Sequence, residues 1–162
     1  MTIAEKKPRK QRSDSAAAAI RAAQNAVAPP LQPPSFKMLS DAEMVLFADI
    51  VLARARDDWK EADLYFAADL ARCLFDLDRE QVALSSEDTV ITTSMGSRVE
   101  NPRIKIISRY RSEASALART LQIGGRGGIG DPRTLEKARQ LERNARGTAN
   151  QVAAEDNALL AG

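Results

Sequence analysis

Two stretches fence off what this chain can fold into. "APPLQPPSF" at 28–36 places four prolines in nine residues, and "GGRGGIGDP" at 124–132 places five glycines in nine. Each proline fixes φ and removes a backbone donor, so the first stretch reads as a stiff, extended linker. The second reads as a flexible one. A folded core must lie between them, and the 162 residues suit one domain with tails. The divisions are a basic arm with a marginal Ala-rich helix and a Pro-rich linker (1–39), a helical core (40–123), and a Gly linker with a C-terminal tail (124–162).

The core opens on "SDAE" (40–43), a capping box with Ser40 at the N-cap and Glu43 at N3. The run after it, "MVLFADIVLARAR", is apolar on more than one face, as in a helix with several neighbours. Asp57 and Asp58 break that run and are expected to cap a second helix. There Trp59, Phe66, Leu70, Cys73, Leu74 and Leu77 recur at three- and four-residue spacing, to about Leu84. A join of one or two residues makes this an αα-hairpin or a helix-turn-helix. "TVITT" and "SRVE" read as two short strands around Gly96, with a longer loop than a type I′ turn and Gly96 at positive φ. Asn101 then caps a third helix with Pro102 in its first position, where a missing N–H costs nothing. Ile107, Tyr110, Ala114, Leu117 and Leu121 form its apolar stripe, and Gly124-Gly125 are expected to stop it. The fold class is all-α: a helical hairpin, a short β-hairpin and a third amphipathic helix, with flexible N- and C-terminal tails.

Outside the core, "SDSAAAAIRAAQNAV" (13–27) has high helix propensity but an apolar face of little besides alanine, so it is marginal unless it docks. "DPRTLEKARQLERNARG" (131–147) reads as a short solvated helix. Beyond it, Leu159 and Leu160 form an apolar pair in a polar terminus.

Catalysis finds no support. The chain has no histidine and one cysteine, so a Cys/His zinc site is excluded and Cys73 reads as a small buried hydrophobe. The acidic pairs Asp57-Asp58 and Glu87-Asp88 fall at helix ends, where carboxylates cap. The glycines at 125, 127 and 130 follow a helix and no strand, and lack a P-loop lysine. No catalytic residue, metal site or cofactor is expected. Neither a signal peptide nor a membrane span is apparent, which argues for a soluble intracellular protein.

Charge is segregated. Residues 1–39 carry +5, 40–83 carry −6, 101–123 carry +4, and the whole chain only +2. The arm residues Lys6, Lys7, Arg9, Lys10 and Arg12 suit contact with phosphates. Arg103, Lys105, Arg109 and Arg111 could line DNA or meet the acidic second helix of a neighbour, and the second option explains both charge blocks. Arg103 and Lys105 are assigned to DNA. Arg109 and Arg111 go to oligomerisation, with Trp59, Phe66 and Leu70 from a helix too broadly apolar for one hairpin to satisfy. A dimeric helix-turn-helix transcriptional regulator is the alternative, but its reading helix would carry net −4, the wrong sign for phosphates. A helical connector protein that binds no DNA is a third reading.

The acidic helix pair, "TTSMGSRVENP" and a basic helix ending "LARTLQI" together resemble the small subunit of tailed-bacteriophage terminases. Thr93, Gly96, Val99, Asn101 and Pro102 match a hairpin that precedes the last core helix in that family. Leu117, Leu121 and Ile123 match positions in the helix itself. "RSDSAAAAIRAAQNAV" and "EDNALLAG" resemble terminal segments of some members. The resemblance implies a non-enzymatic component of a genome-packaging motor: a closed homo-oligomeric ring of more than four subunits that binds double-stranded viral DNA. It would present that DNA to a large subunit bearing the ATPase and nuclease, with Leu159 and Leu160 as docking anchors. It would act in the host-cell cytoplasm, away from membranes, and be absent from the mature virion.

Overall fold

The computed structural model describes residues 16–123 and 132–160. Among the described residues, five helices and one β-hairpin form two compact units, one holding the first and last helices and the other residues 30–123.

In the first unit, α1 (Ala16–Val27) packs on α5 (Pro132–Leu160). The alanine face that left α1 marginal in isolation has found a partner, with Ala22 buried. Along α5 the half-buried residues Leu135, Ala138, Leu141, Ala145 and Ala149 recur at three- and four-residue steps. Glu142 lies among them, 4% exposed; it accepts from Asn25 Nδ2 at 2.8 Å and from the Arg146 guanidinium at 3.3 Å. The short solvated helix expected over 131–147 is therefore a 29-residue helix with a buried side. Gly147 does not end it, because an interior glycine costs only about 1 kcal/mol and alanine-rich sequence follows.

In the second unit, residues 30–39 are not a free linker. Leu31 and Leu39 pack against the core, the Phe36 ring stacks on Tyr65 with centroids 5.0 Å apart, Lys37 pairs with Asp69, and the Arg72 guanidinium donates to the Met38 carbonyl. The proline segment is a strap across α3 (Glu61–Ser85).

Helix α2 (Asp41–Val51) begins as its capping box directs. Ser40 Oγ accepts from the Glu43 N–H, and the Glu43 carboxylate accepts from the Ser40 N–H at 2.7 Å. It buries Phe47, Ile50 and Val51. It stops at Val51 and does not continue through Arg56. The Val51 carbonyl, which a longer helix would offer to Ala55, accepts from the Trp59 indole N–H at 2.9 Å. The connection to α3 is nine residues, Leu52 to Lys60, with a 3-10 turn at Arg56–Asp58. Asp57 and Asp58 thus sit inside the connection and do not cap α3. The Asp63 carboxylate does that work, accepting from the Lys60 N–H at 3.3 Å. A nine-residue join also departs from the three- or four-residue turn of a helix-turn-helix.

Helix α3 packs against both α2 and α4 (Pro102–Thr120). Its buried residues, Ala67, Ala68, Leu70, Ala71 and Cys73, all lie in its first half. Between α3 and α4, β1 (Val90–Thr92) pairs antiparallel with β2 (Arg98–Glu100), Ile91 opposite Val99. Gly96 has φ +78, as the loop reading requires. Helix α4 ends ahead of the glycines. Gln122 takes the left-handed conformation (φ 58), its N–H bonds Arg119 O, and the Ile123 N–H reaches back to Ala118 O at 2.8 Å. This is a Schellman closure, and it returns the fully buried Leu121 and the partly buried Ile123 to the core. The all-α architecture with one short hairpin is the one the sequence implies.

Candidate functional site

The chain's opposite charges meet where α3 ends and α4 begins. Asn101 is 4% exposed and serves three elements. Its Oδ1 accepts from the Arg103 N–H at 2.9 Å and caps α4. Its Nδ2 donates to Glu87 at 2.9 Å and to Asp88 O at 3.1 Å, and its own N–H bonds Thr89 O at 2.9 Å. Beside it, Arg103 grips Glu87 through Nε (3.2 Å) and a terminal nitrogen (2.9 Å), and pairs with Glu80. Donation from Arg103 and Asn101 holds the Glu87 carboxyl below its ordinary value, and the two glutamates push the Arg103 guanidinium up. This clamp ties the end of α3 to the start of α4 at the base of the hairpin.

Past the clamp, α4 turns a basic side outward. Lys105, Arg109 and Arg111 are exposed and make no ion pair among the described residues. On α3, beyond Cys73, no residue is buried; Val82 is 63% exposed. The hairpin leaves Val90, Ile91, Val99 and the loop residue Met95 exposed.

A second cluster sits at the opposite end of the core. The Arg54 guanidinium lies 4.8 Å from the Trp59 ring centroid, pairs with Asp63 at 3.3 Å, and donates to Leu121 O at 3.1 Å and to Asp58 O. Burial pushes the Asp58 carboxyl up, opposed by Arg54. Cys73 is buried, its thiol donating to Tyr110 O at 3.3 Å; burial and then Glu113 push its pKa up, which disfavours a reactive thiolate. Among the described residues, no group of His, Cys, Asp and Glu could hold a metal ion, and no helix is long and apolar enough to cross a membrane.

A family model for the Hendrixvirinae small terminase family matches residues 6–162. The chain belongs to that family. It is similar to the terminase small subunit of Enterobacteria phage HK97, 30% identical over 150 residues that cover 93% of each chain.

On this small terminase the residues singled out from sequence fall into distinct settings. Lys6, Lys7, Arg9, Lys10 and Arg12 lie outside the described residues. Arg103 is the centre of the Glu80–Glu87 clamp, whereas Lys105, Arg109 and Arg111 stay open. Leu70 is 4% exposed and belongs to the protomer's own core, so it is not offered to a neighbour. Trp59 is half-buried with its indole N–H bonded to Val51 O. Phe66, at 42%, is the residue of that apolar trio left outside. Leu159 and Leu160 occupy the last turn of α5, and their side chains lie outside the description. Sequence reasoning missed Arg54, and it missed Glu80 and Glu87 as the partners of Arg103. Glu80 lies on α3 and Glu87 just beyond its end, so no spacing rule within one helix pairs either of them with Arg103.

Proposed function

We propose that this chain assembles into a closed ring of more than four subunits, binds double-stranded viral DNA, and delivers it to the large terminase subunit. The carrying observation is that its core keeps Lys105, Arg109 and Arg111 on α4, and Glu61 and Asp78 on α3, exposed and free of ion pairs among the described residues. A protomer with uncovered surfaces of opposite sign associates head to tail, and head-to-tail contacts that close make rings. The family membership supports the packaging role.

In this reading the protein itself is non-enzymatic and acts in the host-cell cytoplasm. DNA contact falls mainly on the arm (Lys6, Lys7, Arg9, Lys10 and Arg12), with Lys105 the remaining contribution from α4, since the Arg103 guanidinium is held by Glu80 and Glu87. Several arms on one ring multiply a weak phosphate contact into avidity. The tail carries Leu159 and Leu160 to the large subunit. The test is reconstitution: adding the purified protein and viral DNA should stimulate the large subunit's ATPase or nuclease. Leu159→Asp with Leu160→Asp should abolish that stimulation while leaving DNA affinity unchanged. A protein that neither binds DNA nor alters the large subunit overturns the reading.

A further inference from the structure

The α3–α4 pair has two outer faces, and they differ in sign. Cys73 and Glu80, seven residues apart, turn toward α4, where they meet Tyr110 and Arg103. Phe75, Asp78 and Val82, at steps of three and four, form the stripe on the far side of α3. Seven residues before Asp78 the same stripe carries Ala71, fully buried in the cluster that includes Phe47. Glu43, in the first turn of α2, lies against Arg72, so the cover that α2 gives ends near there. Beyond it the stripe opens: Phe75 is half-buried, Asp78 and Val82 are exposed, and Asp78 makes no ion pair among the described residues. The corresponding far side of α4, away from Ile107 and Ala114, presents Arg109, Ser112 and Ala116, all exposed.

We propose that the Phe75–Asp78–Val82 stripe of one protomer receives the Arg109–Ser112–Ala116 face of α4 from a second copy of this chain. Charge selects the occupant: Asp78 and Arg109 are opposite in sign, and neither has an ion-pair partner among the described residues. Size agrees, because Ser112 and Ala116 let the incoming helix approach the exposed Val82 closely. Topology agrees as well. The two faces lie on opposite sides of one helix pair, so the contact is heterologous and leaves a free face at each end for the next copy. The incoming α4 continues the cover that α2 begins at Ala71. This inference rests on the ring reading and adds which helices meet.

The test uses the full-length chain and reads assembly by native mass spectrometry and light scattering. Val82→Asp should raise the concentration for half-assembly by about tenfold or more, since an interface anchor becomes a buried charge. Asp78→Arg and Arg109→Asp should each weaken assembly, and the two changes combined in one chain should restore it, which a folding defect would not do. Val45→Asp, on the exposed side of α2, should leave assembly unchanged. Rings that survive Val82→Asp but fail with Val45→Asp would overturn this contact while leaving the ring reading intact. A wild-type chain that stays monomeric would overturn the ring reading itself.

Discussion

The Arg54 guanidinium donates to the carbonyl of Leu121 at 3.1 Å, joining the α2–α3 connection to the end of α4 across 67 residues of sequence. The same side chain covers the Trp59 ring and pairs with Asp63, so one arginine fastens the lower end of all three core helices. Arg54→Ala should therefore cost about 2 kcal/mol, combining a charged hydrogen bond with a cation–π contact. Arg54→Lys should recover less than half of that, because a point charge cannot replace the planar fork. Urea unfolding of both variants checks this; a loss in Arg54→Ala no larger than that of a surface substitution would contradict it.

Glu87 sets a pH dependence of definite sign. Its folded pKa lies below its ordinary 4.5, because Arg103 and Asn101 donate to the carboxylate. The stability it contributes is therefore present above the unfolded pKa and is lost as pH falls through the depressed folded value. Wild type should be more stable than Glu87→Gln at neutral pH, and the gap should close on acidification below 4.5. Denaturation midpoints measured for both across that range give the answer. A gap that widens on acidification would contradict the clamp.

Two glycine-to-alanine changes should act in opposite directions. Gly96 has φ +78 and open space around the position of a Cβ, so Gly96→Ala should destabilise the hairpin by about 1–2 kcal/mol through backbone strain alone. Gly147 lies inside α5 with equal room, so Gly147→Ala should stabilise that helix by about 1 kcal/mol. Amide exchange in the hairpin and thermal unfolding of α5 read the two effects separately.

The DNA reading divides two basic groups that look alike in sequence. Deleting residues 2–12 should weaken DNA binding and flatten its salt dependence, since up to five phosphate contacts leave together. Arg103→Gln should instead loosen the hairpin, with little change in the salt slope. Binding titrations at several salt concentrations distinguish them. If the truncated chain binds as tightly as the full one, the arm is only a solubilising tail.

What was legible in the sequence was local. Ser40 with Glu43, Asn101 with Pro102, and Gly96 in its loop each follow rules that act within four residues, and each is seen in the structure. The features missed depend on residues far apart in the chain. Trp59 reads as the first apolar position of the second helix, and only the packed core takes the Val51 carbonyl for its indole. The glycines at 124 and 125 looked like the end of α4, yet burial of Leu121 ends it sooner, through a glutamine at positive φ. The buried side of α5 depends on α1, more than a hundred residues away. Arg103 was indistinguishable from Lys105 until Glu80 and Glu87 were placed beside it. The basic helix was legible as a surface, but which of its charges remain open was not.

The central claim is head-to-tail assembly, and a native mass spectrum of the full-length protein tests it most directly. The account predicts one dominant species at a fixed multiple of the protomer mass, above four, giving way to smaller species when Arg109 and Arg111 are both changed to Glu. A monomer or a simple dimer at micromolar concentration would contradict it.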